Sequence, residues 1–495
     1  MNGLLLHRPR SSAVTFAAVI AVALTAARSP AFAQSSLTYL NQGLTAWYVS
    51  ADGSTVVGVE DTPTGQHTFV WKDGAKTSVS LGGGFTTPSG VSGDGSTVVG
   101  SGQLPGSGVR AFVWHVGDAA ASTLLPSTNS SLANAISTDG STIVGTEFTP
   151  AGAVGFVFQN GTASTVTFGG SFTSVDCVSA NGSTVAGSTV LTGLPFDQAF
   201  VFHAGASPTL VPFSDPLPSG VTALSADGST VVGFKVAATG VPAFVWKTSS
   251  STPSFIDLGG GGQTNANSVS ADGSVVVGDG PVGGGVFRGF AWRNGTTEVL
   301  PPPATHLHSS ATLVSADGTR VVGSFSNNPA NTLDYDSMDV VVWDGSNGPA
   351  FLKDLLAAAG VTVGAPRLRA PMGMSDDGAV IAGDSLLRTA SGTGFINQFG
   401  SFVSVLQAQH EATPAELIGA LTDKVNGLNL PKGIPTALNS KLQSALAAVT
   451  VGDNATALAA LNNFIDQVKA QRGKKIPVAA ADQLIADALA IIAKL

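Results

Sequence analysis

The sequence predicts an all-β propeller, with eight blades the preferred count and seven the alternative, followed by a small all-α helical bundle. Three observations predict it. A ten-residue phrase, Val49-Ser50-Ala51-Asp52-Gly53-Ser54-Thr55-Val56-Val57-Gly58, returns seven more times before residue 384. A second phrase with paired aromatics, such as Ala111-Phe112-Val113-Trp114, follows most copies. Past residue 411 the Gly-, Ser- and Thr-rich pattern gives way to alanine-rich segments with apolar residues at helical spacing.

The turn glycines of the phrase fall at 53, 95, 140, 182, 228, 273, 318 and 378, in steps of 42, 45, 42, 46, 45, 45 and 60. A period in the low to middle forties is that of a four-stranded propeller blade, a unit that buries its apolar faces only against its neighbours. Within the phrase, Asp-Gly is read as supplying two positive-φ positions for a tight hairpin turn. Thr-Val-Val-Gly then returns as a β-branched strand too apolar to have a wet face. The turn residues are Asp52, Asp94, Asp139, Asn181, Asp227, Asp272, Asp317 and Asp377. Because Asn181 serves in one copy, these side chains are read as turn chemistry and not as catalytic carboxylates.

The aromatic phrase supplies a third strand, and five of the six tryptophans occupy one position in it (Trp71, Trp114, Trp246, Trp292, Trp343), as packing units between blades would. A fourth strand follows, ending in Leu81-Gly82-Gly83 and its counterparts. One such strand, Leu37-Thr38-Tyr39-Leu40, precedes the first phrase, and the last copy has a third strand near Gly394 without a fourth. The N-terminal strand is therefore expected to close the ring, which removes exposed sheet edges. The 60-residue step carries a helix-like stretch, Phe351 to Gly360, as an insertion or a distorted blade.

Residues 1–33 read as a secretory signal: Arg8 and Arg10, an apolar run from Ala13 to Ala27, and Ala31-Phe32-Ala33 before Gln34. Cleavage after Ala33 and export to the periplasm or the extracellular medium are expected, and no later segment is long and apolar enough to span a membrane. The propeller is placed at 34–405 and the helical domain at 411–495. Cys177 is the single cysteine, so no intramolecular disulfide can form, and it is read as a small buried filler. Residues 34–410 hold 12 basic and 25 acidic residues, a surface that disfavours nucleic acid and anionic lipid. The expected state is a monomer.

In the tail, Thr413-Pro414-Ala415-Glu416 is a capping box with proline at the first helical position. Further helices are expected at 435–449, from Asn454 to Arg472 and from Pro477 to Lys494, with Gly452 and Gly473 as stops. The pairing of Asp-Gly-Ser-Thr-Val-Val-Gly with a downstream Ala-Phe-Val-Trp resembles the bacterial extracellular HAF repeat family. His67-Thr68-Phe69, Arg110-Ala111-Phe112 and Gln198-Ala199-Phe200 each keep part of its His-Ala-Phe phrase. The resemblance spans about residues 45–400 and implies an exported repeat protein, with no catalytic residues to carry over. Leu461-Asn462-Asn463-Phe464-Ile465-Asp466-Gln467-Val468 with Gly473-Lys474-Lys475-Ile476 resembles the FIMAH-type helical module of secreted bacterial proteins.

Catalytic candidates are sparse. A propeller glycosidase needs paired carboxylates facing a common channel, and the propeller has three glutamates, Glu60, Glu147 and Glu298, the first two expected just after second strands. His306 and His308 alternate along a strand and offer two metal ligands without a third. Asp334, Asp336 and Asp339, with Asn327, Asn328 and Asn331, are the most liganding stretch. No cofactor is expected, calcium being the ion these oxygens suit, although the spacing of a calcium loop is missing. Asn160 and Asn294 sit in Asn-Gly-Thr, at once a glycosylation acceptor and a turn signal. The expected function is non-catalytic binding of an extracellular glycan, surface polymer or protein through loops such as 101–109 and 324–338. The alternative is a polysaccharide hydrolase or lyase with acidic residues at the channel mouth.

Overall fold

The computed structural model describes residues 35–492 and Leu495, apart from 41–42, 205, 303–305, 327–337, 346–347, 392–393, 407–413, 429 and 451–452. The signal-like residues 1–33 thus lie outside the described residues, as does Thr413 of the capping box.

Eight four-stranded antiparallel units follow one another along the chain, the third and fourth joined into one sheet by a single parallel pair, Ala153 with Phe172. Blades 1 to 7 begin with inner strands Leu44–Val49, Thr86–Val91, Ser130–Ile136, Phe172–Val178, Ser219–Leu224, Asn265–Val269 and His308–Val314. Blade 8 takes Arg367–Met374, Val380–Ser391 and Gly394–Val405 from the end of the propeller and Ser36–Leu40 from its beginning. That last strand runs antiparallel to the third, from Ser36 opposite Val405 to Leu40 opposite Ser401. The inner strands neighbour one another all the way round, that of blade 8 beside that of blade 1, so the ring is closed. Eight is therefore the blade count. The long step between the last two phrases holds a helix, Leu352–Ala358, whose Leu352 and Leu356 are fully buried between blades 7 and 8.

Why the phrase repeats is visible in its hydrogen bonds. In blade 1 the Ser50 hydroxyl donates to Asp52 Oδ1 at 2.6 Å, and that oxygen also accepts the Ser54 amide at 2.9 Å. Ser50 Oγ in turn accepts the Thr55 amide at 3.0 Å. The Ser-x-Asp unit recurs at each turn, and Asn181 Oδ1 makes the same contacts in blade 4. The turn differs from the sequence reading in one respect: Gly53 has φ +72° while Asp52 is not in the left-handed region. The loop is longer than a two-residue turn: Gly53 N donates to Ser50 O and Ser50 N to Thr55 O, each at 2.9 Å, and such a four-residue loop built on a type I turn needs one left-handed residue. Paired positive-φ residues occur instead at the outer hairpins, Asp73-Gly74, Asn160-Gly161 and Asn294-Gly295.

These turns also tie the blades together. Asp52 N donates to Gly93 O, Gly93 N to Thr138 O, Asp139 N to Ala180 O, and Ala180 N to Ala226 O. Asp227 N, Ala271 N, Ala316 N and Asp376 N carry the series on to Ala51 O, so eight backbone bonds of 2.7 to 3.0 Å form one unbroken circle.

Each phrase ends on a glycine because the inner strand's bulge presses a carbonyl there. A Cβ on Gly58, Gly100, Gly145, Gly187, Gly233, Gly278, Gly323 or Gly383 would stand 1.8 to 2.1 Å from an inner-strand carbonyl oxygen. Beneath them the third-strand aromatics fill the blade interfaces. Phe112 and Trp114 of blade 2 pack on Val57 and Val70 of blade 1, and Phe244 and Trp246 of blade 5 pack on Ala199 and Val201 of blade 4. A fully buried Phe contributes roughly 2–3 kcal/mol of transfer free energy.

The C-terminal region forms four helices, Pro414–Gly427, Ile434–Thr450, Asn454–Gln471 and Val478–Ile492, close to the expected spans. Leu421, Leu438, Leu442, Leu461, Phe464, Val468 and Leu484 form their common core. Asp453 caps the third of these helices by accepting the Thr456 amide at 3.0 Å. No helix among the described residues is long and apolar enough to cross a membrane.

Candidate functional site

One residue per blade sits at the inner-strand bulge, five positions before the turn Asp or Asn: Trp47, Ser89, Asn134, Asp176, Thr222, Asn267, Thr312 and Met372. Six of them are partly buried, and Thr222 and Met372 are exposed, although all lie on the innermost strands, as residues lining the central channel of a closed ring would be. Their polar members clamp the next blade. Ser89 Oγ donates to Ala133 O at 2.6 Å, Asn134 Nδ2 to Val175 O at 2.9 Å, Thr222 Oγ1 to Ala266 O at 2.7 Å and Asn267 Nδ2 to Ala311 O at 2.9 Å.

Carboxylates in this layer are satisfied locally. Asp279 accepts from Asn265 Nδ2, Asn267 Nδ2 and Ser310 Oγ at 3.1, 2.9 and 2.6 Å. Asp176 accepts from Ser174 Oγ, yet burial lifts its pKa above the usual carboxylate range, with Asp197 adding to the rise. Burial likewise raises Asp384, opposed by Arg369, whose Nη2 lies 3.5 Å away.

The sequence-nominated residues do not converge. Glu60 lies within the second strand of blade 1, is 6% exposed and is bonded to the Lys76 ammonium. Glu147 lies within the second strand of blade 3 and accepts from Asn129 Nδ2 at 2.9 Å. Neither is in a loop, because the second strands run longer than the phrase implied. Glu298 is exposed on the outermost strand of blade 6. His308 Nδ1 accepts the Phe287 amide at 3.2 Å, while His306, outside that strand, packs against Phe325 and Phe351. Asp334 and Asp336 lie outside the described residues, as do Asn327, Asn328 and Asn331. Asp339 is buried, 3.6 Å from Arg367 and 3.8 Å from Lys353, so its carboxylate faces cations. Among the described residues no three His, Cys, Asp or Glu gather as a metal site would require. Cys177 is half-buried on the inner strand of blade 4, where desolvation first and the Asp176 carboxylate second push its thiol up to about 12.

The turn aspartates have a measurable consequence. The Ser92 hydroxyl and then the Ser96 amide hold the Asp94 carboxyl down at about 2. In Asp52, Asp139, Asp227 and Asp317 burial is the largest single effect and raises the pKa, but the corresponding donors together outweigh it and lower the carboxyl, while in Asp272 the donors come first and lower it. Their folded values lie below the unfolded value near 4, so the stabilisation is present above pH ~4 and is lost as pH falls toward ~2. The urea midpoint is expected to hold steady from pH 7 to 5 and to fall between pH 4 and 2. A flat midpoint down to pH 2 would contradict this assignment.

Sequence reasoning missed a cleft of about 390 Å³ between blades 4 and 5, lined by Pro212, Phe213, Asp215, Lys235, Pro242, Pro253 and Phe255. Phe213 stacks near Phe255 at 6.2 Å between centroids and meets Phe244 edge-on at 5.1 Å. The Lys235 ammonium, 3% exposed, lies 5.0 Å from the Phe213 ring centre and 2.7 Å from Asp215 Oδ1. It also donates to the carbonyls of Leu217 and Asp215 at 2.5 and 3.2 Å. The signal was faint, since Phe213 and Phe255 lie outside the two repeated phrases.

Fold and site together define a closed eight-bladed propeller carrying a separate helical module. Residues 429–493 match the family model of the FIMAH domain. A search of curated proteins finds no match to the chain. Among solved structures, the chain is similar to a putative TolB from Agrobacterium tumefaciens, with 15% identity, a TM-score of 0.33 and coverage of 52% of this chain and 88% of that one. It is also similar to dipeptidyl peptidase 4 from Porphyromonas gingivalis, at 11% identity and TM-score 0.45 over 74% of this chain and 58% of that one. For the β-propeller domain of the Trilobed protease from Pyrococcus furiosus the values are 9% and 0.41, over 63% and 98%.

Proposed function

We propose that the chain is an exported, non-catalytic propeller of the HAF repeat kind that binds an extracellular glycan, surface polymer or protein. The dispersal of the carboxylates carries this reading. Glycoside cleavage by a carboxylate pair requires the two groups within ~5–10 Å of each other across one substrate. Glu60, Glu147 and Glu298 belong to blades 1, 3 and 6, two of them engaged inside strands and one on an outer edge. The channel layer presents hydroxyls, amides, Trp47, Met372 and three carboxylates, Asp176, Asp279 and Asp384, each engaged by its own neighbours: Ser174 for the first, Asn265, Asn267 and Ser310 for the second, and Arg369 for the third. The signal-like residues 1–33 support export, with a mature chain beginning at Gln34.

The test is a glycan and protein array with the purified mature protein, run beside a panel of polysaccharides assayed for new reducing ends. Specific retention of a glycan or protein without new reducing ends is expected. Depolymerisation of any polysaccharide by the purified protein, in the absence of a bound partner, would favour the hydrolase or lyase alternative.

A further inference from the structure

We propose that a cavity at the rim between blades 5 and 6 holds a carboxylated sugar, a hexuronate at the end of a glycan, an inference that rests on the binding function proposed above. The cavity has a volume of about 220 Å³ and is lined by Lys247, Ser250, Thr252, Ser254, Trp292 and Asn294. Lys247 ends the third strand of blade 5, Ser254 begins its outer strand, and Trp292 stands on the third strand of blade 6.

Two of these side chains depart from the repeat. In blades 1, 2, 4 and 6 the residue after the third-strand aromatic is tied to a turn beside it. Lys72 Nζ donates to Asp94 O at 3.2 Å, His115 Nδ1 and His203 Nδ1 bond Thr97 Oγ1 and Thr184 Oγ1 at 3.0 Å, and Arg293 Nη1 donates to Gly318 O at 3.0 Å. Lys247 is their counterpart in blade 5, and its ammonium has no hydrogen-bond or ion-pair partner among the described residues. Trp114, Trp246 and Trp343 likewise donate their indole N–H to a carbonyl at 3.0 to 3.2 Å. Trp292 is only 5% exposed, yet its N–H has no acceptor among the described residues. That N–H is not sealed from solvent, and the cavity is the space it borders. A nearly buried donor left unmade carries a free-energy cost that a ligand oxygen relieves.

The lining selects its occupant by charge. It offers one ammonium, one indole N–H, one amide and three hydroxyls, and no carboxylate. A carboxylate can take the ammonium with one oxygen and the indole N–H with the other, as charge-assisted hydrogen bonds. The hydroxyls and the amide both donate and accept, which is what the ring hydroxyls of a sugar require. A peptide C-terminus, the other abundant carboxylate, is caught by backbone N–H groups, whereas the donors here are side chains. Volume and net charge limit the occupant to one residue. The cavity is smaller than the ~300–1,000 Å³ of drug-sized sites, and the 25 acidic against 12 basic residues of 34–410 repel a polyanion.

The experiment is isothermal titration of the full mature chain with glucuronate and galacturonate, their oligomers, neutral glucose and galactose oligomers, a sulfated galactose and a tripeptide with a free C-terminal carboxylate. A uronate is expected to bind, with little gain beyond the monosaccharide and with affinity falling as NaCl is raised from ~50 to ~500 mM. Lys247→Met is expected to weaken that binding about tenfold or more, the thermal midpoint being unchanged because the side chain is exposed. Trp292→Phe, which keeps an aromatic ring and removes the donor, is expected to weaken it about fivefold. Undiminished uronate affinity in Lys247→Met would overturn the site and leave the binding function standing. Affinity that climbs steadily along the uronate oligomers would overturn the one-residue cavity. A neutral sugar, sulfated sugar or tripeptide bound more tightly than the uronates, and lost in Lys247→Met, would overturn the carboxylated-sugar class. No uronate binding, with another glycan or a protein retained on the array, would overturn the site alone. Absence of binding across the panel, together with polysaccharide degradation, would overturn the site and the proposed function together.

Discussion

Gly233→Ala is expected to destabilise the propeller by about 3–5 kcal/mol, far more than a methyl group on an exposed turn would, because its effect is that of overpacking against backbone. A Cβ at 233 would stand 2.0 Å from the Gly220 carbonyl oxygen and 2.8 Å from Phe244 Cε1. The carbonyl cannot withdraw without separating the first two strands of blade 5, and the Phe244 ring is fully buried against blade 4. Gly74→Ala is the proper control. That glycine has φ +77°, and a methyl group there would meet nothing within 4 Å, so only backbone strain of about 1 kcal/mol is expected. Urea denaturation of the two variants reads the difference directly. Equal losses would mean that the carbonyl contact does not govern the phrase-closing glycine.

A chain beginning at Gly43, and so lacking Ser36–Leu40, is expected to lose about 5 kcal/mol and to self-associate. Five residue pairs with the strand Gly394–Val405 disappear. Leu37 and Tyr39 leave the cluster around Leu352 and Leu356, Leu40 leaves the one around Ala382 and Val403, and the Tyr39 hydroxyl loses the Pro366 carbonyl at 3.2 Å. Three half-buried apolar side chains at roughly 1 kcal/mol each, with several net hydrogen bonds of similar size, give that sum. The unpaired edge is a template for edge-to-edge association. Size-exclusion chromatography with light scattering and thermal melting measure the two effects. A synthetic peptide covering residues 35–41, added in trans, should restore the size of the intact chain and raise the melting point. A truncated chain with the size and the melting point of the intact one would refute closure by this strand.

The ring was legible in the sequence because repetition turns a weak local signal into a strong one. Eight copies of one hairpin, an orphan strand ahead of Gly43 and a missing one after the last phrase suffice to place the blades and the closing strand. Details that depend on how strands meet were less accessible. The Asp-Gly turns use one positive-φ residue where two were expected, since the hairpin closes from Ser50 to Thr55 around a four-residue loop and not a two-residue one, and loop length is set by strand register that no single copy of the phrase displays. Glu60 and Glu147 read as loop residues because the apolar run stops at Gly58 and Gly145, yet both strands continue to threonines at 62 and 149. The cleft was the least legible of all. Pro212 and Phe213 come from the connection into blade 5 and Phe255 from its outer strand, and their meeting depends on how that connection folds back against the blade.

The closing strand also sets an order of events during synthesis. Ser36 emerges among the first residues of the propeller, and its partner Val405 among the last. Until that partner exists the first strand has nowhere to pair, so the ring stays open while all the intervening blades are being made. Long-range pairing of this kind slows the final folding step. A nascent chain of this protein is therefore held short of its finished shape for as long as its C-terminal portion is missing.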